Sequence, residues 1–298
     1  VIPSTGGTLS TTTAGTSNLR LGVNAGNSIA SGGNFNVALG DEAGTALTTG
    51  DQNVFVGYQA GDAQTTASQN TFVGMGAATA NTTGTESVAL GYKALGSNTV
   101  GSKSTAIGYL ALFAQNFTTA TNSHNTAVGH LAGQNVTTGV QNTLIGSLAG
   151  NLLTDADFNV AIGLSALQSD HKGNKSIAIG VNALQTQDFS TSTDSFNVAI
   201  GHNAGTAVTT GIQNTLIGGL AGDALTDADY NVSLGYLSLT TDTLGSRSTA
   251  LGSFTLLNQN FTSATDVYNV AVGYNAGAAV TTGKENTLIG SLAGDALT

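Results

Sequence analysis

Cysteine and tryptophan are absent from all 298 residues, proline occurs once, at Pro3, and methionine once, at Met75. Without cysteine there are no disulfides and no thiolate metal sites, although the compartment is left open. Charge is almost as scarce. Asp, Glu, Lys and Arg make up 8% of the chain, far below the roughly 25% of an ordinary soluble domain. Only seven residues are Lys or Arg, and the formal net charge is −10. The basic stripe that a nucleic-acid partner requires is therefore missing, and an anionic membrane surface is disfavoured on the same ground. No apolar run approaches the roughly 20 residues of a membrane helix, so no membrane insertion is expected of this segment.

What fills the chain instead is one phrase, Asn/Ser-x-x-aliphatic-Gly, repeated sixteen times. Its glycines begin Gly22, Gly40, Gly57 and end Gly273, Gly290; from Gly57 the intervals run 17, 17, 17, 21 and then repeat. A 17-residue unit is thus nested in a 72-residue super-unit, and a fixed short period marks a stacked, quasi-one-dimensional fold. Counting each repeat glycine as zero, position −1 is always Leu, Ile or Val, and −3 is Val, Thr, Ile or Leu. Position −2 is mostly Ala, with Phe55, Phe72, Leu144, Leu216 and Leu288 among the larger exceptions. Alternating β-branched residues closed by Gly read as a short strand. Seventeen residues are too few for a strand–helix–strand unit, and no helical period is present. The expected class is all-β: a parallel β-solenoid in 17-residue coils, about 75 Å long at roughly 4.8 Å per coil.

Period-2 geometry puts −3 and −1 on one face, read here as the core, and −2 on the other. The core is then thin, and the −2 face is expected to pack against other copies of the chain. Position +3 is Ala in fourteen copies. Position −4 is Asn in twelve copies and Ser in four, which suggests a stacked amide ladder including Asn53, Asn142, Asn214 and Asn286.

Each super-unit adds four residues to its fourth coil, near Asn116-Phe117-Thr118, Asp188-Phe189-Ser190 and Asn260-Phe261-Thr262. Insertions in solenoids often form the binding face. Asn116, Phe117, Asp188, Phe189, Asn260 and Phe261 are accordingly the candidate surface-contact residues, with plugging of a bulge as the bland alternative for the phenylalanines. Residues 1–17, rich in Thr, Ser and Gly, read as a linker or N-terminal cap, and 18–298 as a continuous solenoid of about sixteen coils. The last coil stops at Leu297-Thr298, so a longer fibre is expected.

The phrases Asn197-Val198-Ala199-Ile200-Gly201, Ser176-Ile177-Ala178-Ile179-Gly180 and Ser87-Val88-Ala89-Leu90-Gly91 resemble the head repeats of trimeric autotransporter adhesins. The longer Asn-Thr-x-x-Gly-x-x-Ala-Gly form also resembles the β-solenoid shafts of bacteriophage tail fibres. The resemblance spans roughly 18–298, although the adhesin repeat is usually shorter than 17 residues and neither its stalk nor its membrane anchor is present. It implies a left-handed β-roll, a homotrimer, a place on the cell surface or in a virion tail, and a host-surface glycan or protein receptor as partner.

Other chemistry is weakly represented. His130 and His202 share one phase but lie four coils apart, and Asp155/Asp157 and Asp227/Asp229 lack the calcium nonapeptide pattern, so no metal or cofactor is expected. Near-identical repeats leave no place for a unique catalytic constellation, and the chain reads as a non-enzyme. A structural fibre component that mediates surface attachment is the leading expectation. A self-polymerising extracellular filament and an ice-binding solenoid are the alternatives. The ice-binding one is suggested by the threonines and opposed by the core-facing reading of −3.

Overall fold

The computed structural model describes residues 13–298. These form a parallel β-solenoid of about sixteen coils, with no helix among the described residues. Two compact units are present, one ending at Val140 and one running from Gln141 to Thr298. In the first, Leu19–Leu21, Val37–Leu39, Val54–Val56, Thr71–Val73, Val88–Leu90, Thr105–Ile107 and Thr126–Val128 stack as parallel strands. In the second, the stack is Thr143–Ile145, Val160–Ile162, Ile177–Ile179, Val198–Ile200, Thr215–Ile217, Val232–Leu234, Thr249–Leu251, Val270–Val272 and Thr287–Ile289. Each repeat position pairs with itself, as in Val54↔Thr71, Phe55↔Phe72 and Val56↔Val73. Of the expected linker or cap over 1–17, residues 1–12 lie outside the described residues. Thr16 is already joined to the first coils, its carbonyl accepting from the Phe35 N–H at 3.0 Å.

Three-residue strands make coils only if the corners are sharp, and left-handed backbone supplies the sharpness. In the coil of Gly57, φ is +59° at Gln52, +133° at Gly57, +55° at Gln59 and +57° at Gly61. The repeat glycine is required: a Cβ on Gly57 would sit 2.6 Å from the Gly74 carbonyl oxygen, the position that stacks on it. The other corners tolerate side chains at a cost of about 1–2 kcal/mol each, which the stacked hydrogen bonds must offset.

The structure reverses the expected faces. Position −2 points inward and −3 and −1 point out: Phe55, Phe72, Leu144 and Leu216 are fully buried, and Leu288 is half-buried in the last coil. Leu90 and Leu234 at −1 are exposed. Alternation alone fixes that −3 and −1 share a side, not which side. The phase is set one residue earlier, by the buried Asn at −4, since −4 and −2 must face the same way. The large −2 side chains therefore fill the chain's own core and cannot be the face between copies.

The −4 asparagines do not simply stack amide on amide. The Asn36 Oδ1 accepts from the Asn53 N–H at 2.9 Å while its Nδ2 donates to the Gly50 carbonyl at 2.9 Å. One side chain thus clips the corner of the next coil by both a donor and an acceptor. Asn53 treats Asn70 N–H and Ala67 C=O alike (3.0 and 2.9 Å), Asn142 treats Asn159 and Ala156 (2.9 and 2.8 Å), and Asn214 treats Asn231 and Ala228 (2.9 and 2.7 Å). Side-chain to side-chain contacts accompany these at longer range, 3.4 Å for Asn214 to Asn197 and 3.2 Å for Asn286 to Asn269.

The 72-residue period has a packing cause. Where −2 is Leu216, +4 is Gly222, whose Cβ would lie 2.8 Å from the Leu216 side chain. Where −2 is Ala250, +4 is the buried Leu256. The coil before each leucine at −2 (Leu144, Leu216 and Leu288) has Ala at −2 and Gly at +4, because the large side chain also spreads over it: a Cβ on Gly205 would meet Leu216 at 2.6 Å. Volume is conserved over pairs of coils rather than within each coil.

Leu216→Ala is expected to destabilise by about 2–5 kcal/mol. Gly222→Leu, disruptive alone, should be better tolerated in the Leu216→Ala background, because the pair then matches the Ala250/Leu256 coil; urea midpoints of the four proteins measure this coupling. Additive losses would contradict the shared-volume account. Asn214→Ala strands a buried N–H and a buried C=O, at roughly 1–3 kcal/mol each, a loss the same titration reads.

Candidate binding surface at the inserts

The three inserts are held by a buried polar network that starts at position +7. In the second super-unit, Asp170 Oδ1 accepts from the Gly173 and Phe189 N–H groups at 2.9 and 3.2 Å, and Oδ2 accepts from Gln187 Nε2 at 2.6 Å. Gln187 Nε2 also reaches Ser176 Oγ at 3.0 Å, and its Oε1 accepts from Asn197 Nδ2 at 2.9 Å. Asp242, Gln259, Ser248 and Asn269 repeat this network in the third super-unit, and Asn98, Gln115, Ser104 and Asn125 do so in the first. In all three insert-bearing coils serine at −4 goes with glutamine at +7, although Ser87 also stands at −4 in a coil without an insert. No buried side-chain nitrogen or oxygen among the described residues lacks a partner.

Above this base each insert makes a two-residue strand: Thr121–Asn122 pairs with Gly101–Ser102, Thr193–Asp194 with Gly173–Asn174, and Thr265–Asp266 with Gly245–Ser246. Phe117, Phe189 and Phe261 are buried, between 6% and 8% exposed. The rings of Phe117 and Phe189 lie over Gly101 and Gly173, where a Cβ would come within 2.7 and 2.8 Å of them. They plug the bulges rather than presenting a surface. Of the candidate contact residues, Asn116 and Asp188 are exposed and Asn260 is half-buried. Asn116 and Asn260 accept hydrogen bonds from Thr99 and Thr243 at 2.7 and 3.2 Å, and Asp188 pairs with His171 at 2.8 Å.

Two exterior columns flank the strands. At +1 in the first unit, Tyr92, Tyr109 and His130 stack at centroid spacings of 5.3 Å. At −5 in the second unit, cations meet aromatic rings: Lys175 lies 5.1 Å from the Phe196 ring, and the Arg247 guanidinium lies between Tyr230 (4.6 Å) and Tyr268 (6.0 Å). The inserts supply their counter-ions, with Lys175 Nζ 2.5 Å from Asp194 and Arg247 Nε 2.8 Å from Asp266. The pairing holds the exposed Asp194 carboxyl below its usual range, chiefly through the Lys175 hydrogen bond. The signal for the aromatic residues at −5 in the sequence is their shared phase with the basic residues Lys175 and Arg247 of the insert-bearing coils.

The threonine array is partly spent internally: Thr48, Thr65 and Thr82 each donate their hydroxyl to a carbonyl of the next coil, at 3.1, 3.3 and 3.0 Å. Asp227 and Asp229 accept from Thr210 Oγ1 (2.6 Å) and the Ile212 N–H (2.8 Å) of the preceding coil. Among the described residues there is no cavity, and no three His, Asp or Glu side chains group as metal ligands would. No family model, curated protein or solved structure matches the chain.

Burial raises the Asp170 carboxyl above its ordinary value, against the opposing hydrogen bonds from Gln187 and the backbone. A raised folded-state value means the folded chain holds the proton more tightly than the unfolded one. This group's contribution is most favourable below the unfolded carboxyl value, near 3.8, and declines as pH rises towards the raised one. Asp170→Asn, which copies Asn98, is expected to be more stable than the wild type at pH 7 and to lose that advantage near pH 3. Urea titrations at both pH values check the sign.

Proposed function

We propose that the chain is a structural component of an extracellular or virion fibre, a β-solenoid shaft that self-associates and mediates surface attachment. In this reading it has no catalytic role and no cofactor. The observation that carries it is the outward strand face. In all nine strands of the second unit, positions −3 to −1 hold no charged residue, and the outward ones are Val, Ile, Thr or Leu. Ile200 is 36% and Leu234 45% exposed. An apolar, regularly ridged sheet face of this length favours burial against a like surface. Nine rungs about 4.8 Å apart and about four residues wide give on the order of 500 Å² per chain, or 1,000 Å² across a pair, near the lower bound of a specific interface.

The resemblance to adhesin heads and phage tail-fibre shafts favours a trimer and places it on a cell surface or in a virion tail. The exposed inserts would then be displayed in several copies, and weak contacts to a glycan or protein receptor would add through effective concentration. One observation favours the ice-binding alternative: −3 faces outward, so Thr215 and Thr249 lie on the exterior. The interspersed Val, Leu and Ile make that column irregular.

Sedimentation equilibrium of the purified chain at micromolar concentration is expected to give a multiple of 29.5 kDa, with three as the favoured number. Ile200→Lys with Leu234→Lys should return it to monomer with circular dichroism unchanged and a lower urea midpoint, because the interface no longer stabilises the fold. A wild-type monomer would overturn the reading, and a monomer with thermal hysteresis would replace it with the ice-binding one.

A further inference from the structure

In each insert-bearing coil the residue at −5 is basic: Lys103, Lys175 and Arg247. In the second unit its neighbours in the same column are aromatic, Phe158 and Phe196 around Lys175, and Tyr230 and Tyr268 around Arg247. All four rings are exposed, by 39% to 52%. Their backbone is left-handed, with φ between +50° and +61°, and it is pinned by cross-coil bonds such as Arg247 N–H to Asp229 C=O at 2.9 Å. The side chains are therefore held at fixed spacing before any ligand arrives.

The polar groups between the rings are only partly used. Arg247 commits Nε to Asp266 Oδ1, and among the described residues its two terminal nitrogens make no hydrogen bond. Asp266 Oδ2 accepts only a long contact from the Tyr268 hydroxyl, at 3.4 Å. A donor edge and an acceptor edge thus lie side by side, with an aromatic ring on either side, and the rings are two coils, about 10 Å, apart. Lys175 and Asp194 repeat the layout between Phe158 and Phe196.

We infer that these are two equivalent glycan-binding sites per chain, each taking a neutral oligosaccharide across two coils. A vicinal diol accepts from the cation and donates to the carboxylate, while the rings cover the apolar C–H edges of the adjoining sugars. An acidic polymer is the weaker match, because each cation is already paired and the chain carries a net charge of −10. The corresponding place in the first unit has Glu86, Lys103, Asn122 and His124, without the pair of apolar rings, and is not a third site. The biological use of the sites rests on the attachment reading; the binding itself does not.

The full chain is titrated with chitohexaose, cellohexaose and mannohexaose, and with polygalacturonate as the acidic control, by calorimetry and by tyrosine emission, which no tryptophan obscures. One of the neutral hexamers is expected to saturate at two per chain. Lys175→Ala with Arg247→Ala should weaken it at least tenfold, and Tyr230→Leu with Tyr268→Leu should halve the stoichiometry, with circular dichroism unchanged in both. No saturation by any neutral hexamer at millimolar concentration, binding to polygalacturonate alone, or binding indifferent to the substitutions would overturn the inference. The mass in solution is read separately, so failure of sugar binding and failure of the fibre reading are distinguishable.

Discussion

Sharp corners leave backbone N–H and C=O groups pointing into a narrow interior, and everything else in this solenoid depends on how they are satisfied. The −4 asparagine does it with one planar amide that offers an acceptor to one group and a donor to the other. A buried asparagine, or in four coils a buried serine, ahead of the strand then dictates that −2 faces inward, that −3 and −1 face out, and that the repeat glycine follows where no Cβ fits. The exposed aliphatic face is a consequence of this polar requirement as much as of any hydrophobic pattern.

The same constraint explains the long period. A coil has room for one large side chain from −2 or +4, and Leu216 occupies space belonging to two coils, so small and large residues must alternate in a set order. Where four residues are inserted, the amide clip is replaced by serine, glutamine and a buried acid or amide, with a phenylalanine closing the bulge. Each insert is thus rooted in the core while its tip reaches the surface, and in the second and third its acid meets a cation in the exterior column. Core and candidate site are two ends of one arrangement.

The coil, its length, the parallel stacking and the place of the inserts were legible because they depend on spacing, which repetition amplifies. The facing of the strand was not. Val37 and Leu39 are as hydrophobic as any core pair, while Ala38 between them looks dispensable, yet Ala38 is the buried one. In a coil this thin, size matters more than hydrophobicity, and the complementary signal lay in pairs such as Leu216 with Gly222 and Ala250 with Leu256. The phenylalanines of the inserts left two readings open, surface contact or a plug, and only the fold reveals that Phe189 occupies a recess left by Gly173. The partnership of Lys175 with Asp194 is separated by 19 residues, a distance that becomes adjacency only through the lengthened coil.

The asparagine clip also has a direction. Asn36 bonds the coil after it, Asn53 the next, and Asn214 the coil of Asn231. A break between two coils would therefore create unlike surfaces, one bearing an amide in search of a corner and the other a corner in search of an amide. Such ends are complementary to each other and not to themselves. The stack accordingly has the polarity of a ratchet, and duplication of whole 72-residue blocks lengthens it without a mismatch, whereas gain or loss of a single coil throws the small–large order out of phase.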